Sequence, residues 1–259
     1  MSRKIMDRTG ETVINSEEGA REKGWWKMEI AAYRSSTDMD VLIDGKYLLT
    51  GQSYGKFIRR NIKNPYHRSV YGIGHIGDGK YIASEKGIHA PHYNTWRHMI
   101  RCCSEAYQEK HPRYRGYTVS DEWRNYQVYA AWYDQNRYEI KGETITLNNN
   151  ILFKGNKLFS KDTCILVPKK INSLLGNRGR PNGGLPKGVR LQANGKFLAY
   201  FNKKGISVSS TKEKAFRAYK TAKEDQIKET IDLYQGRIPE PHYTRLRNAL
   251  FAYEVCIDD

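Results

Sequence analysis

The segment 144–172 contains the residues of this chain that are best placed to do chemistry. Its pattern predicts a strand that ends in three asparagines (148–150), a loop, a second strand and a short helix that carries Asn172. Hydrolysis of a phosphate ester needs a general base that takes a proton from water and a divalent ion that stabilises the phosphate group under attack. Amides cannot act as general bases and are poor metal ligands. Asp162, the only carboxylate of the loop, and Asn172 are therefore the only candidate ligands for an ion.

Histidines and cysteines offer a second possible chemistry, which is metal binding. The spacing of His89, His92 and His98 matches no compact zinc site, and no cysteine completes one, so we interpret these histidines as polar or structural. The four cysteines form neither a C-x-x-C pair nor a disulfide framework. This pattern predicts a reducing compartment, and we expect a cytoplasm.

A glycine-rich run, residues 72–77, is a literal G-x-G-x-x-G. Dinucleotide binding needs a strand before this motif and a helix after it, whereas Asp78-Gly79 here begins another turn. The run is therefore interpreted as a glycine-rich loop, and no cofactor is expected beyond the Mg²⁺ that an active nuclease would need.

The formal net charge of +16 is concentrated in one part of the chain. Residues 151–210 carry 12 basic residues and one acidic residue, whereas residues 211–259 carry nine of each. A single-sign field of this density indicates a polyanionic partner, and double-stranded DNA is the expected one. No apolar run is long enough to span a membrane, and none follows the N-terminus as a secretory signal would require, so we expect no membrane partner.

The sequence also predicts the strands and helices that must position the candidate residues. Strands are predicted at residues 26–33, 40–43, 47–49 and 57–58, with a hairpin turn at Asp44-Gly45, which together indicate a small β-barrel or curled sheet. Helices follow at 93–107 and 120–133, where Trp96 and Trp123 lie in apolar stripes typical of a core. The basic loop between these helices, Arg113-Tyr114-Arg115, is a candidate for contacts with nucleic acid.

The C-terminal region predicts a sheet backed by a helix. Its strands are expected at residues 189–191, 197–201 and 206–209. Ser210-x-x-Glu213 is interpreted as a capping box that opens a helix at 212–234, and a last helix is expected at 242–253. Strand alternation places Phe197, Ala199 and Phe201 on the side that faces the helix.

Two blocks of the middle region resemble a bacteriophage family that is similar to HNH homing endonucleases. The strand–loop–strand–helix pattern of residues 144–172 fits the ββα outline of those nucleases. Relatives carry acidic and basic residues at the positions of the three asparagines 148–150. The central asparagine of the HNH motif matches Thr163 here. Of the three HNH positions, only Asn172 keeps its residue type. The residues that carry the resemblance are Trp96 to Cys102, Tyr114 to Val119, Glu122-Trp123, Tyr126, Leu147 to Ile151, Gly155-Asn156, Phe159-Ser160, Thr163-Cys164, Pro168 and Ile171-Asn172.

The C-terminal region resembles the plant ethylene-response-factor (ERF) DNA-binding domain, which also occurs in phage homing endonucleases. In that family a three-stranded sheet enters the major groove and a helix packs behind it, which implies that Arg190, Lys196 and Tyr200 face DNA. The matching residues are Leu185 to Arg190, Gly195 to Ala199, Thr211, Glu213, Ala215 and Ala218 to Lys220.

Together these patterns predict an α+β fold in three modules. We expect a small β-domain at residues 1–70, a helical and HNH-like ββα domain at 71–176, a linker at 177–187 and an ERF-like domain at 188–259. The ERF-like domain is expected to contain a three-stranded sheet and a helix.

The predicted function is that of a phage-encoded protein of the host-cell cytoplasm, which binds double-stranded DNA and descends from an HNH homing endonuclease with a degenerate catalytic site. Two alternatives remain: an active Mg²⁺-dependent nuclease whose base comes from elsewhere in the chain, for example His98 or His111, and a counter-defence or host-takeover protein that acts through a host protein. Asn149 and Asn172 are the candidate catalytic residues, at degenerate HNH positions. Candidate DNA contacts are Arg113, Arg115, Lys154, Lys157, Arg178, Arg180, Lys187, Arg190, Lys196 and Tyr200.

Overall fold

The computed structural model describes residues 6–16, 25–176 and 184–257 of the chain. It has a mixed α+β fold, which confirms the predicted class. The chain divides into two compact units, residues 1–131 (unit 1) and residues 132–259 (unit 2). This division falls inside the predicted module 71–176, and the predicted module limits remain predictions.

Unit 1 begins with a four-stranded antiparallel sheet in the order β1-β2-β3-β4, in agreement with the predicted N-terminal β-structure. The three residues that connect the last two strands include Asp44 (φ 53°) and Gly45 (φ 66°), whose left-handed backbone agrees with the hairpin turn predicted at this pair. The strands are β1 (Thr12–Ser16), β2 (Trp25–Ser35), β3 (Asp38–Ile43) and β4 (Tyr47–Gln52).

One face of this sheet is apolar because every second residue of β3, namely Met39, Val41 and Ile43, is buried. Helix α1 (Tyr54–Ile58) adds Phe57 to the same core. The strand that we predicted at 57–58 is therefore wrong. The backbone turns into a helix there because the hydroxyl of Ser53 accepts a hydrogen bond from the backbone N–H of Lys56 and caps the first turn.

The rest of this part of the chain is mainly helical. The helix predicted at 93–107 is divided at Ser104, whose backbone is extended (φ −79°, ψ 140°). A Cβ on Gly74 would lie 2.7 Å from the buried Trp96 ring, so that glycine permits close packing between its loop and a helix. The elements are β5 (Ser84–Glu85), β6 (Ile88–His89), α2 (Pro91–Cys103), α3 (Glu105–Lys110), a 3₁₀ turn (Pro112–Tyr114), β7 (Thr118–Val119), a second 3₁₀ turn (Glu122–Arg124) and α4 (Tyr126–Asn136).

Unit 2 contains a strand pair followed by a helix, and then a sheet with two more helices. Strands β8 (Ile145–Asn148) and β10 (Ile165–Pro168) pair antiparallel, and α5 (Lys169–Leu175) starts at the residue after β10. The short strand β9 (Leu158–Phe159) lies in the intervening segment. The remaining elements are β11 (Val189–Leu191), β12 (Phe197–Phe201), β13 (Lys204–Ser209), α6 (Lys212–Asp232) and α7 (His242–Phe251).

The C-terminal sheet has the order β11-β12-β13 and packs on α6, which confirms the predicted three-stranded sheet with a helix. Ala199 is fully buried, and Phe197 and Phe201 pack against the same core, so the predicted facing of β12 is confirmed. The predicted capping box is displaced by one residue. The hydroxyl of Thr211, not that of Ser210, accepts the hydrogen bond from the backbone N–H of Lys214.

Candidate nucleic-acid interface

The outer face of the C-terminal sheet carries a stacked arginine. Val189 and Ala199 are fully buried on the helix side, so the residues that follow them, Arg190 and Tyr200, project to the other side. These two residues are diagonal neighbours on paired strands, and the guanidinium carbon of Arg190 lies 4.0 Å from the centroid of the Tyr200 ring. This cation–π contact limits the orientations of the guanidinium group without pairing it with an acid.

The turns at the two ends of β12 add further cations. Lys196 is exposed beside the β11–β12 turn, where its backbone N–H donates to the side-chain oxygen of Asn194 (3.0 Å). Lys203 and Lys204 are exposed at the opposite end, and Lys203 occupies a left-handed turn position (φ 64°). Lys204 pairs with Phe201 and so belongs to the helix-facing side, whereas Lys203 lies in the turn itself. The sequence analysis did not assign Lys203 to the interface, although the Asn202-Lys203 pair between two strands is a hairpin signal.

The chain has no carboxylate between Asp162 and Glu213 to neutralise these cations. Within the described residues, none of the exposed cations of the outer face and its turns forms an ion pair with a carboxylate; these are Arg190, Lys196 and Lys203. The face also exposes apolar surface, since Val208 is 51% exposed and lies opposite Leu198. A surface with both cations and apolar groups is suited to DNA. The cations can contact phosphates, and the apolar side chains can contact thymine methyl groups in the major groove.

The predicted catalytic positions lie in unit 2, and their amides are engaged with the protein. The side-chain N–H of Asn148 donates to the side-chain oxygen of Asn172 (2.8 Å), which ties the end of β8 to α5. The side-chain oxygen of Asn148 accepts the backbone N–H groups of Asn150 and Ile151, both at 2.7 Å. Asn149 is only 6% exposed, and its side-chain N–H points to the backbone oxygen of Asn156 (3.4 Å).

Thr163, which the sequence analysis predicts to occupy the central HNH position, also has a local role. Its hydroxyl donates to the backbone oxygen of Leu158 (2.7 Å) and lies 3.0 Å from the Ser160 hydroxyl. The neighbouring thiol of Cys164 is 1% exposed, and burial raises its pKa to about 12. A buried, protonated thiol of this kind is a weak nucleophile at neutral pH.

These contacts decide how well the region formed by β8, β10 and α5 fits a magnesium ion. Mg²⁺ prefers carboxylate and other oxygen ligands in near-octahedral geometry. The side-chain oxygens of Asn148 and Asn172 already accept hydrogen bonds from protein groups. Within residues 6–16, 25–176 and 184–257, no group of three His, Cys, Asp or Glu side chains could hold a metal ion. The residues of this region do not fit a magnesium site.

The other predicted DNA contacts of the basic stretch have different environments. The amine of Lys154 donates to the backbone oxygen of Glu254 (2.7 Å) and lies above the Tyr253 ring, so it joins its loop to the C-terminal segment. Lys157 is exposed, and the amine of Lys187 donates to the backbone oxygen of Gly176 (3.4 Å). The remaining two, Arg178 and Arg180, lie outside the described residues.

In unit 1, the predicted contact loop is exposed at Arg113 and Arg115. The guanidinium carbon of Arg113 lies 4.7 Å from the centroid of the Tyr114 ring, and its N–H donates to the Tyr114 hydroxyl (3.1 Å). As on the C-terminal sheet, a tyrosine ring orients an exposed arginine.

The two histidines that we considered as alternative bases also belong to unit 1. The ring nitrogens of His98 lie 2.9 Å from the Arg101 guanidinium and 3.6 Å from the Cys102 sulfur. The pKa of His98 is lowered mainly by desolvation of the ring and, to a smaller extent, by the positive charges of Arg101 and Arg113. The ring of His111 packs on Tyr107, with 4.1 Å between the ring centroids. Both rings therefore have local partners that explain their positions.

Comparison of the chain with family models, with curated proteins and with solved structures finds no match. Among the described helices, none has the length and apolar character needed to cross a membrane. The argument about function therefore depends on the geometry and charge of the residues described above.

Proposed function

We propose that this protein binds double-stranded DNA and that the outer face of its C-terminal sheet is the main contact surface. The observation that carries the proposal is the set of exposed cations without ion pairs on that face, with Arg190 held against Tyr200. Phosphate contacts supply affinity for DNA, whereas an oriented arginine can read the edge of a guanine.

The shape of the surface supports this proposal. The major groove admits a narrow β-structure, and the three strands of the C-terminal sheet have three, five and six residues. The helix side is filled by the hydrophobic core, including Ala215 and Tyr219 of α6. Of the two faces of this sheet, the outer one is therefore the face available to a ligand.

We further propose that the ββα region (β8, β10 and α5) descends from an HNH nuclease and no longer hydrolyses DNA. Its three asparagines fix the end of β8 and the following loop through hydrogen bonds, and they supply no general base. The origin in a phage and the location in a host cytoplasm are parts of the same proposal and depend on the resemblance alone.

Binding is tested by fluorescence anisotropy of a labelled duplex at several salt concentrations. If the basic face releases counterions from about five to eight phosphates, log K will fall with log salt with a slope of about −5 to −7. A slope near zero would remove the proposed function. A single strand of the same length is the control for preference between duplex and single-stranded DNA.

Hydrolysis is tested with supercoiled plasmid, excess protein and varied Mg²⁺ or Mn²⁺. We expect the plasmid to stay supercoiled, because general-base catalysis typically supplies ~10²–10⁴-fold and the site has no base. Rapid nicking that is abolished by Asn172→Ala would establish a working nuclease instead.

A further inference from the structure

The loop between β8 and β9, residues 149–157, presents an aromatic ring to solvent. The Phe153 side chain is 56% exposed, the largest exposed fraction among the seven phenylalanines of the chain. Within the part of the chain that the structure describes, its ring is in contact with no other aromatic ring. Leu158, just after the loop, is 38% exposed. The position of the ring is therefore not explained by packing.

A network of asparagine amides fixes the shape of this loop. The side-chain oxygen of Asn150 accepts the backbone N–H of Gly155, while the side-chain N–H of Asn156 donates to the backbone oxygens of Asn149 (2.6 Å) and Leu158 (2.7 Å). The backbone N–H of Asn156 donates to the backbone oxygen of Phe153 (3.0 Å), which closes a turn around the ring. Because the loop is held in place before binding, little conformational entropy is lost when it meets a partner.

The net charge of the loop indicates the class of partner. The chain has no Asp or Glu from Leu147 to Lys161, and the loop carries two lysines: the amine of Lys154 is bound to the C-terminal segment, and Lys157 is exposed. A cationic loop with an exposed ring at its tip is complementary to a polyanion that offers stacked apolar planes, and duplex DNA is such a polyanion. Phenylalanine is one of the side chains that proteins commonly insert as a wedge between base pairs.

We propose that Phe153 is a wedge that inserts between two base pairs of bound duplex DNA and partly unstacks them. The asparagine network then has the role of holding the wedge, in place of the catalytic role of its ancestors. This inference rests on the proposed DNA binding. Inserted wedges kink the duplex, and unstacking also changes its twist, so the effect can be measured without knowledge of the target sequence.

The test uses the full chain and a closed circular plasmid that topoisomerase I relaxes in the presence of the protein. After removal of the protein, we expect the linking number to shift in proportion to the amount of protein bound. Phe153→Ala should abolish the shift and lower affinity by about fivefold, because the cost of unstacking offsets much of the gain from stacking. Phe153→Leu should keep part of the shift.

Phe251→Ala is the matched control, since Phe251 is another exposed phenylalanine of unit 2 (37% exposed) and must leave the shift unchanged. Binding of each variant is measured separately by anisotropy. Wild-type protein that binds duplex without any shift, or a shift that survives in Phe153→Ala, overturns the wedge while DNA binding stands. Absence of duplex binding overturns both proposals.

Discussion

The two largest sheets of this protein have similar inner faces and different outer faces. In each, one face is covered by apolar side chains that pack with a helix, α1 in unit 1 and α6 in unit 2. On the outer face of the N-terminal sheet, the Arg34 guanidinium lies 2.7 Å from Asp38 and 2.6 Å from Asp40. The C-terminal sheet has no carboxylate at all, and its arginine stacks on a tyrosine.

This difference separates charge that serves the protein from charge that serves a ligand. An exposed arginine with two carboxylate partners has its donors occupied and its charge neutralised locally. An arginine that is oriented by a ring keeps its donors for an outside acceptor. Net charge alone does not make this distinction, because residues 1–70 contain 13 basic residues, more than the 12 of residues 151–210, but also nine acidic ones.

The largest effect is expected from the buried side of the C-terminal sheet. Tyr219 is 4% exposed and packs on Phe201, with ring centroids 5.8 Å apart. Tyr219→Ala should lower the free energy of unfolding of unit 2 by ~3–5 kcal/mol, by analogy with other large aromatic-to-alanine changes in cores. Hydrogen exchange of strands β11–β13 measures this loss. Arg217→Ala, an exposed change on the same helix, is the control and should leave their protection unchanged.

An intermediate effect is expected from the two arginines that define the comparison. Arg190→Ala should weaken duplex binding by about 5- to 150-fold, which corresponds to the ~1–3 kcal/mol of a lost base contact, without unfolding the sheet. Arg34→Ala removes an equal charge but should leave affinity nearly unchanged, because its partners already neutralise it. Anisotropy at fixed salt measures both. Equal losses for the two variants would mean that only net charge matters.

The C-terminal sheet shows how far the sequence could take the prediction. The bounds of β11 and β12 agree with the predicted 189–191 and 197–201, because alternating apolar residues between glycine turns are a local signal. The stack of Arg190 on Tyr200 is a diagonal contact between neighbouring strands. In addition, the pairing register of β12 with β13 changes between Ala199 and Tyr200. Contacts of this kind depend on register, which the sequence analysis did not assign.

The asparagine loop shows the opposite case. The sequence predicts a degenerate catalytic site at these residues, which stays a prediction, and the strand, strand and helix around them form as the pattern indicates. The network that joins Asn148 to Asn172 and Asn150 to Gly155 could not be predicted, because each amide has several possible partners until the backbone path is known. The same limit explains α1, where the capping role of Ser53 competes with the strand preference of Phe57-Ile58.

The smallest effect concerns the dependence of the N-terminal sheet on pH. Hydrogen bonds from Arg34 lower the pKa of both Asp38 and Asp40. A carboxyl group whose pKa is lower in the folded state stabilises that state above the ordinary pKa of about 3.9, and the stabilisation is lost as the pH falls through the lowered pKa. The C-terminal sheet has no carboxylate on its strands, so it lacks this contribution.

We therefore expect the urea midpoint of unit 1 to fall slightly more between about pH 5.5 and pH 3 in the wild type than in Arg34→Ala. NMR amide signals from β2 and β3 report this midpoint, and signals from β12 in the same spectra serve as the internal control. The difference is small because these groups are exposed and the pairs are screened by solvent. If the acid sensitivity of β2 and β3 survives in Arg34→Ala, the carboxylates gain their stabilisation elsewhere. The difference between the N-terminal sheet, whose arginine is paired with carboxylates, and the C-terminal sheet, whose cations are not, would then need another physical basis.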